Sequence, residues 1–293
     1  MITFIQTVIF GLLVGGVYAL LSSGLTLVFG VMKIVNMAQG GFIVLAAYLS
    51  YSLWNYVGVD PLLGALISAP VMAIVGVIIY KAILERAQRI DPGLAIVATF
   101  AIALVLEAVI ALIWGPNPTS ATPSYFNRAL HLGPISVPEG QLFACGMAIV
   151  VTVALVIVIR KTWLGHAITA ASENPEGARL IGVDPGRVGT WIFAIATATT
   201  AFGGAALSFL YQFTPDSQDE WIGLTLSVVI LGGLGSIPGV ILGGVLLGLA
   251  ESFTSTYISL QWTSAVPLLL ILVVLTIRPQ GLLAAKTRTD TGS

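Results

Sequence analysis

The sequence predicts an all-α integral membrane protein, a polytopic helical bundle of about eight or nine transmembrane passes with a broken helix near residues 232–239. Three observations predict it. Hydrophobic residues make up 57% of the 293-residue chain and charged residues only 9%, for a mean hydropathy of +1.00. A soluble domain carries about 25% charged residues, so this chain cannot cover a water-facing surface of that size. The apolar residues also fall in runs near the roughly 20 residues that a helix needs to cross a hydrocarbon core, without the alternating segments that build a barrel.

The runs cover residues 4–29, 36–55, 62–81, 93–115, 139–159, 188–211, 221–254 and 262–278. The first lacks a basic leading region and is too long for a cleavable signal, so it reads as a span. The second opens in KIVNMAQGG at 33–41. There Asn36 is placed to cap the helix, or with Gln39 to line a path across the bilayer, while Gly40 and Gly41 permit close backbone approach. Glu107 sits well inside the fourth run, where a charge is costly and marks either a function or a hydrogen bond to a neighbouring helix. The fifth run holds Cys145, the chain's single cysteine, so no disulfide forms within the chain.

Orientation follows from Lys and Arg in the short loops. Lys33, Lys81, Arg86, Arg89, Arg160, Lys161, Arg179, Arg187, Arg278, Lys286 and Arg288 fall on one side, which thereby holds eleven of the twelve basic residues; only Arg128 lies opposite. This places the N-terminus outside and the C-terminus in the cytoplasm. The outer loops then carry Asp60, Glu139, Asp216, Asp219 and Glu220. The assignment requires 221–254 to cross twice, turning at GGLGSIPG. From residue 221 to 235 a helix climbs only about 20 Å against a core of roughly 30 Å, so the break is expected within the membrane. Ser236 is placed to cap a helix starting at Ile237, with Pro238 in its first turn. Its free N–H groups at membrane depth would suit a carboxylate on a translocation path. Gly11 and Gly15, Gly235, Gly239 and Gly243, and Gly244 and Gly248 are four apart, the spacing of close helix packing. Glu251, near the outer end of this run, reads as interfacial.

The chain reads as one transmembrane domain over 1–293, with a polar tail at about 286–293 read as disordered. It has no G-x-x-x-x-G-K-[ST] and no H-E-x-x-H, and its two histidines, His131 and His166, fall in predicted loops. Ser236 therefore has no histidine partner for proteolysis. No metal-ligand set and no basic stretch for nucleic acid is present. The sequence reads as non-catalytic and as binding no cofactor of its own.

A polar island at about 160–187 carries seven of the twenty-five charged residues. Ala167, Ile168 and Ala171, then Ala178 and Ile181, recur at helical spacing. Asn174 is placed to cap a short helix opening at Pro175 and Glu176, which Gly182 ends ahead of an Asp-Pro-Gly turn. Short amphipathic helices on the cytoplasmic face fit either a solvated connector or a docking element for a partner.

Glu176, Gly177, Ala178, Arg179, Leu180, Ile181 and Gly182 resemble the E-A-A-x-x-x-G signature of ABC importer permeases, with Ile192 at the position of that signature's later isoleucine. Gly177 replaces its middle alanine, and Ala194-Ile195 stand where many families have Leu-Pro. SGLTLVFGVMKIVNMAQGGFIVLAAY, NPEGARLIGVDPGRV, ILGGLGSIPGVILGGVLLGLAE and IRPQGLL are similar to blocks of the LivH-type permeases of branched-chain amino-acid importers. The resemblance spans nearly the full length. It implies a permease of the bacterial inner membrane that forms the path for amino acids, branched-chain ones first. It also implies a second homologous permease, two cytoplasmic ATPases that use ATP and Mg, and an extracytoplasmic binding protein that delivers the small-molecule substrate. Glu176, Gly177, Ala178, Arg179, Leu180 and Gly182 would form the ATPase-coupling element. Many members read N-F-A-H-G-E where this chain reads NMAQGG, and related permeases serve urea, amides or aromatic acids. The alternative outside this machinery is a gradient-driven carrier.

Overall fold

The computed structural model describes residues 1–126, 128–133 and 135–283. The polar tail expected at about 286–293 lies outside the described residues. Helices account for nearly all of the regular structure: α1 (Ile2–Met32), α2 (Gln39–Ser52, continued by a π turn to Val57), α3 (Pro61–Ile79, continued by a π turn into α4, Glu85–Ile90), α5 (Pro92–Trp114), α6 (Glu139–Lys161), α7 (Trp163–Glu173), α8 (Pro175–Leu180), α9 (Pro185–Leu210), α10 (Gln218–Gly232), α11 (Ile237–Tyr257) and α12 (Val266–Ile277). A two-stranded hairpin, β1 (Ala129–Leu132) with β2 (Ile135–Pro138), interrupts the long loop after α5.

Local chemistry sets many of the starts. Asp60, Asp91, Asn174 and Asp184 each precede a proline at the first helical position, and each side chain accepts a hydrogen bond from a backbone N–H two or three residues on. Proline there loses no helical bond, and the cap satisfies a donor that has no partner within the helix.

Seven helical segments are long and apolar enough to cross a membrane, the last of them α12 together with the 3-10 turns that precede it from Leu260. α2 and α10 are shorter, and the packing explains why. Gly15 lies against Gly244 and Val245, Gly11 against Gly248 and Leu249, and Gly24 against Ala196, so α1 runs antiparallel to both α11 and α9. Gly232 meets Gly239 and Gly243 meets Val228, so the run 221–254 folds as an antiparallel hairpin of α10 and α11, of which α11 alone is long enough to cross. The break itself lies at one end of the bundle rather than inside it. Gly235 packs on Gly30, two residues short of the α1 terminus. The turn therefore lies at the end of the bundle that gathers the basic helix termini, here termed the basic end. α10 is short because it begins deep: the Gln218 carbonyl lies against Gly40 at the start of α2. α2 in turn starts at the level of Leu21, about 13 Å along α1 from Gly30. Residues 33–38 thus fold back into the bundle, and two shortened helices open inside it.

α9 is the central pillar. In its apolar stretch 83% of residues are buried, against 22% in α5 and α6. Its buried threonines Thr197, Thr199 and Thr200 donate to carbonyls three or four residues back, which removes the cost of burying a hydroxyl. α5, α6 and α12 instead turn Val105, Leu112, Val150 and Leu268 outward, as a lipid-facing belt requires. At the end opposite the basic one, Thr119 bridges to Phe213, and the Tyr125 hydroxyl donates to Asp60 at 3.1 Å. Burial and the neighbouring Asp60 carboxylate push that hydroxyl's pKa well up from its ordinary value.

Candidate functional site

The polar island folds into α7 and α8 at the basic end. Thr162 caps α7 by accepting from the Gly165 N–H at 3.2 Å, and Asn174 caps α8 by accepting from the Gly177 N–H at 2.9 Å. Ala167, Ile168, Ala171 and Ala178 face the bundle and are buried, as their spacing predicts. Ile181 departs from that stripe and is 73% exposed, because α8 ends at Leu180 and the helical register stops with it. Leu180 is 90% exposed. Glu176 and Arg179 are exposed, Gly177 is half-buried, and Gly182 holds φ of +83° in open space. The result is a capped one-turn helix, anchored by Ala178, that presents two large aliphatic side chains to solvent beside a left-handed glycine. Exposed Leu and Ile on such a turn have no role in holding this chain together.

Of the four residues predicted for a path across the bilayer, three gather around the opening of α2, where Gln218, the partner of Glu107, lies against Gly40 and Gly41, and the fourth lies apart. Asn36 is buried and does not cap α2, which starts at Gln39 with Ala38 as its cap residue. The Asn36 side chain instead accepts from the Ala38 N–H at 3.2 Å, closing the turn that brings the chain back into the bundle. Gln39 is buried too and donates to the Leu21 carbonyl at 3.2 Å and the Thr200 hydroxyl at 3.0 Å, tying α1, α2 and α9 together. Glu107 accepts from the Gln218 amide at 2.6 Å, a bond between α5 and the first residue of α10. Ser236 caps α11, accepting from the Gly239 N–H at 3.2 Å, but does so at the basic end, remote from the other three.

The sequence reading missed a cleft of about 540 Å³ in the opposite half, between α1, α10 and α11. Its most polar feature is the Tyr18 hydroxyl donating to a Glu251 carboxylate oxygen at 2.7 Å. Side chains lean toward the N-terminus of their own helix, so residues on antiparallel helices lean toward each other. The contact therefore lies near the level of Gly15, midway along α1, rather than at the interface expected for Glu251. The signal was present: Glu251 follows Gly244 and Gly248 by seven and three residues, on the face that packs against α1. Among the described residues no cluster of His, Cys, Asp and Glu could hold a metal ion.

A family model described as "Branched-chain amino acid transport system / permease component" matches residues 7–275. The chain is 29% identical to the high-affinity branched-chain amino acid transport system permease protein LivH of Escherichia coli K12, over 96% of this chain and 95% of that protein. It is 25% identical to BraD, a permease protein of the same description from Pseudomonas aeruginosa, with the same coverage. It is also 24% identical to LivM of Salmonella typhimurium, over 91% of this chain and 68% of that protein. With an all-helical polytopic fold and a family match over nearly its whole length, the chain belongs to the permease components of branched-chain amino acid ABC transport systems, as a non-catalytic transmembrane subunit.

Proposed function

We propose that this permease pairs with a second, LivM-like permease and is worked by two cytoplasmic ATPases seated on α7 and α8, with an extracytoplasmic binding protein delivering branched-chain amino acids. The N-terminus lies outside and the basic end faces the cytoplasm of a bacterial inner membrane, as eleven of twelve basic residues on one side favour. ATP and Mg act on the partner subunits.

The observation that carries this reading is the pair Leu180–Ile181, exposed on a capped helix whose own fold does not use them. A groove on a motor subunit would bury both. Ala178 fixes α8 to the bundle and Thr162 joins α7 to the end of α6, so a push on α8 is transmitted directly to α9 and through α7 to α6. A closed ATP-bound motor pair and an open one then bias two arrangements of the bundle.

The test is reconstitution of the chain with its partner permease, ATPases and binding protein in proteoliposomes. Leucine uptake that needs internal ATP is expected, with no uptake by the permease pair alone. Uptake by the permeases without ATPases would replace this reading with a gradient-driven carrier.

A further inference from the structure

The cleft between α1, α10 and α11 is not used by the fold. Tyr18, Tyr211, Trp221, Glu220 and Glu251 line it, with Ser252, Ser255 and Thr256 along one wall. Among the described residues that line it none is Lys, Arg or His, while two are carboxylates. Gln141 also lines it, and its amide oxygen makes no hydrogen bond among the described residues. Glu251 has one direct partner among the described residues, the Tyr18 hydroxyl. A carboxylate accepts several hydrogen bonds, so most of its capacity is open. At a level midway along α1, lipid cannot solvate it, and a charge held there is by default functional. The cleft is thus rich in acceptors, negatively charged and walled partly by aromatic rings.

We propose that this cleft is a station for the ammonium group of the transported amino acid, with Glu251 as its main acceptor and Glu220 at its mouth. The inference rests on the reading of the chain as an amino-acid permease, and names the half of the zwitterion that this subunit reads. An ammonium carries three N–H donors and no acceptor, which matches a site of carboxylates and amide oxygen. Trp221 and Tyr211, whose rings meet edge to face at 5.4 Å, supply faces for the cation or for a branched aliphatic side chain. The same negative field disfavours a free carboxylate, so the substrate's carboxylate must be held by groups outside this cleft.

The test uses the full chain in lipid nanodiscs, labelled with 5-fluorotryptophan, with the Trp221 resonance assigned by Trp221→Phe. The probes are leucine, isopentylamine, which keeps the ammonium and the side chain, and 4-methylpentanoate, which keeps the carboxylate. Isopentylamine and leucine are expected to shift the Trp221 signal, and 4-methylpentanoate to leave it in place. Glu251→Gln should weaken the isopentylamine midpoint by about tenfold or more, the loss of a charge-assisted bond. Glu220→Gln, at an exposed position that the fold does not need, should move it the same way by a smaller factor. Glu139→Gln, outside the cleft, should have no effect. An equal response to 4-methylpentanoate, a response to sodium chloride in place of amines, or unchanged midpoints in both carboxylate variants would overturn the proposal. If isopentylamine binds as described but the assembled importer carries no amino acid, the site stands and the substrate assignment falls.

Discussion

Replacing Leu180 and Ile181 together by serine separates docking from folding. In the chain alone the two side chains are 90% and 73% exposed, so their loss removes little buried area and the fold should keep its stability. On docking they have most of their surface left to bury. A fully buried Leu or Ile is worth about 1.5–3 kcal/mol, so the pair's remaining exposure amounts to about 2–5 kcal/mol in a groove. That corresponds to a loss of about thirtyfold to several thousandfold in affinity for the motor subunit. The assay is titration of purified ATPase subunits onto the nanodisc-embedded permease pair, beside thermal unfolding of the variant chain. Affinity should fall by at least the lower factor while the unfolding midpoint stays within a degree or so of wild type. Unaltered affinity would refute the docking role, and a large drop in the unfolding midpoint would show that the pair serves the fold.

Gly15→Leu should block assembly of the bundle, because even a Cβ at Gly15 would stand 2.7 Å from the Gly244 oxygen and the Val245 Cα, backbone that cannot rotate away; the expected result is loss of folded protein from membranes, read by size-exclusion of fluorescent fusions. Gln218→Leu leaves the Glu107 carboxylate without its partner inside the bundle and should destabilise by about 1–3 kcal/mol, read by thermal unfolding, whereas Gln218→Glu with Glu107→Gln should recover part of the loss. Ser236→Ala removes the α11 cap and should cost about 1 kcal/mol of stability, with leucine uptake per folded molecule unchanged. Gly182→Arg forces a Cβ into φ of +83° and sets a bulky cation beside the exposed pair; uptake and ATPase stimulation should disappear while the protein still inserts, since among the described residues nothing lies within 4 Å of that Cβ.

The passes were legible because the bilayer imposes one requirement on all of them. Runs such as 93–115 and 139–159 match α5 and α6 to within two residues. The hairpin of 221–254 was legible through charge: Arg278 had to return to the side of Lys33, and the Gly-Pro interruption supplied a turn. Its depth was not, because the climb was measured from Trp221 on the assumption that α10 starts at the membrane face. Where α10 starts depends on the descent of residues 211–217 and its contact with Gly40, and such a long-range contact leaves no periodic trace. Asn36 illustrates the same limit. Its residue type suits a cap, yet a turn over Met37 and Ala38 intervenes before the helix opens at Gln39. In the island, Asn174, Pro175 and Gly182 act as their chemistry predicts, because caps and left-handed turns are decided within a few residues.

The end of the described chain returns to the α10–α11 turn. The Leu282 N–H donates to the Leu231 carbonyl at 3.0 Å and the Leu283 N–H to the Gly232 carbonyl at 2.9 Å, while Gly281 stacks on Gly233. The segment following α12 therefore acts as a latch on a hairpin far earlier in the sequence, sealing carbonyls that α10 leaves open at its terminus. Shortening the chain to residue 278 would unfasten that hairpin, which decides where this protein can be cut.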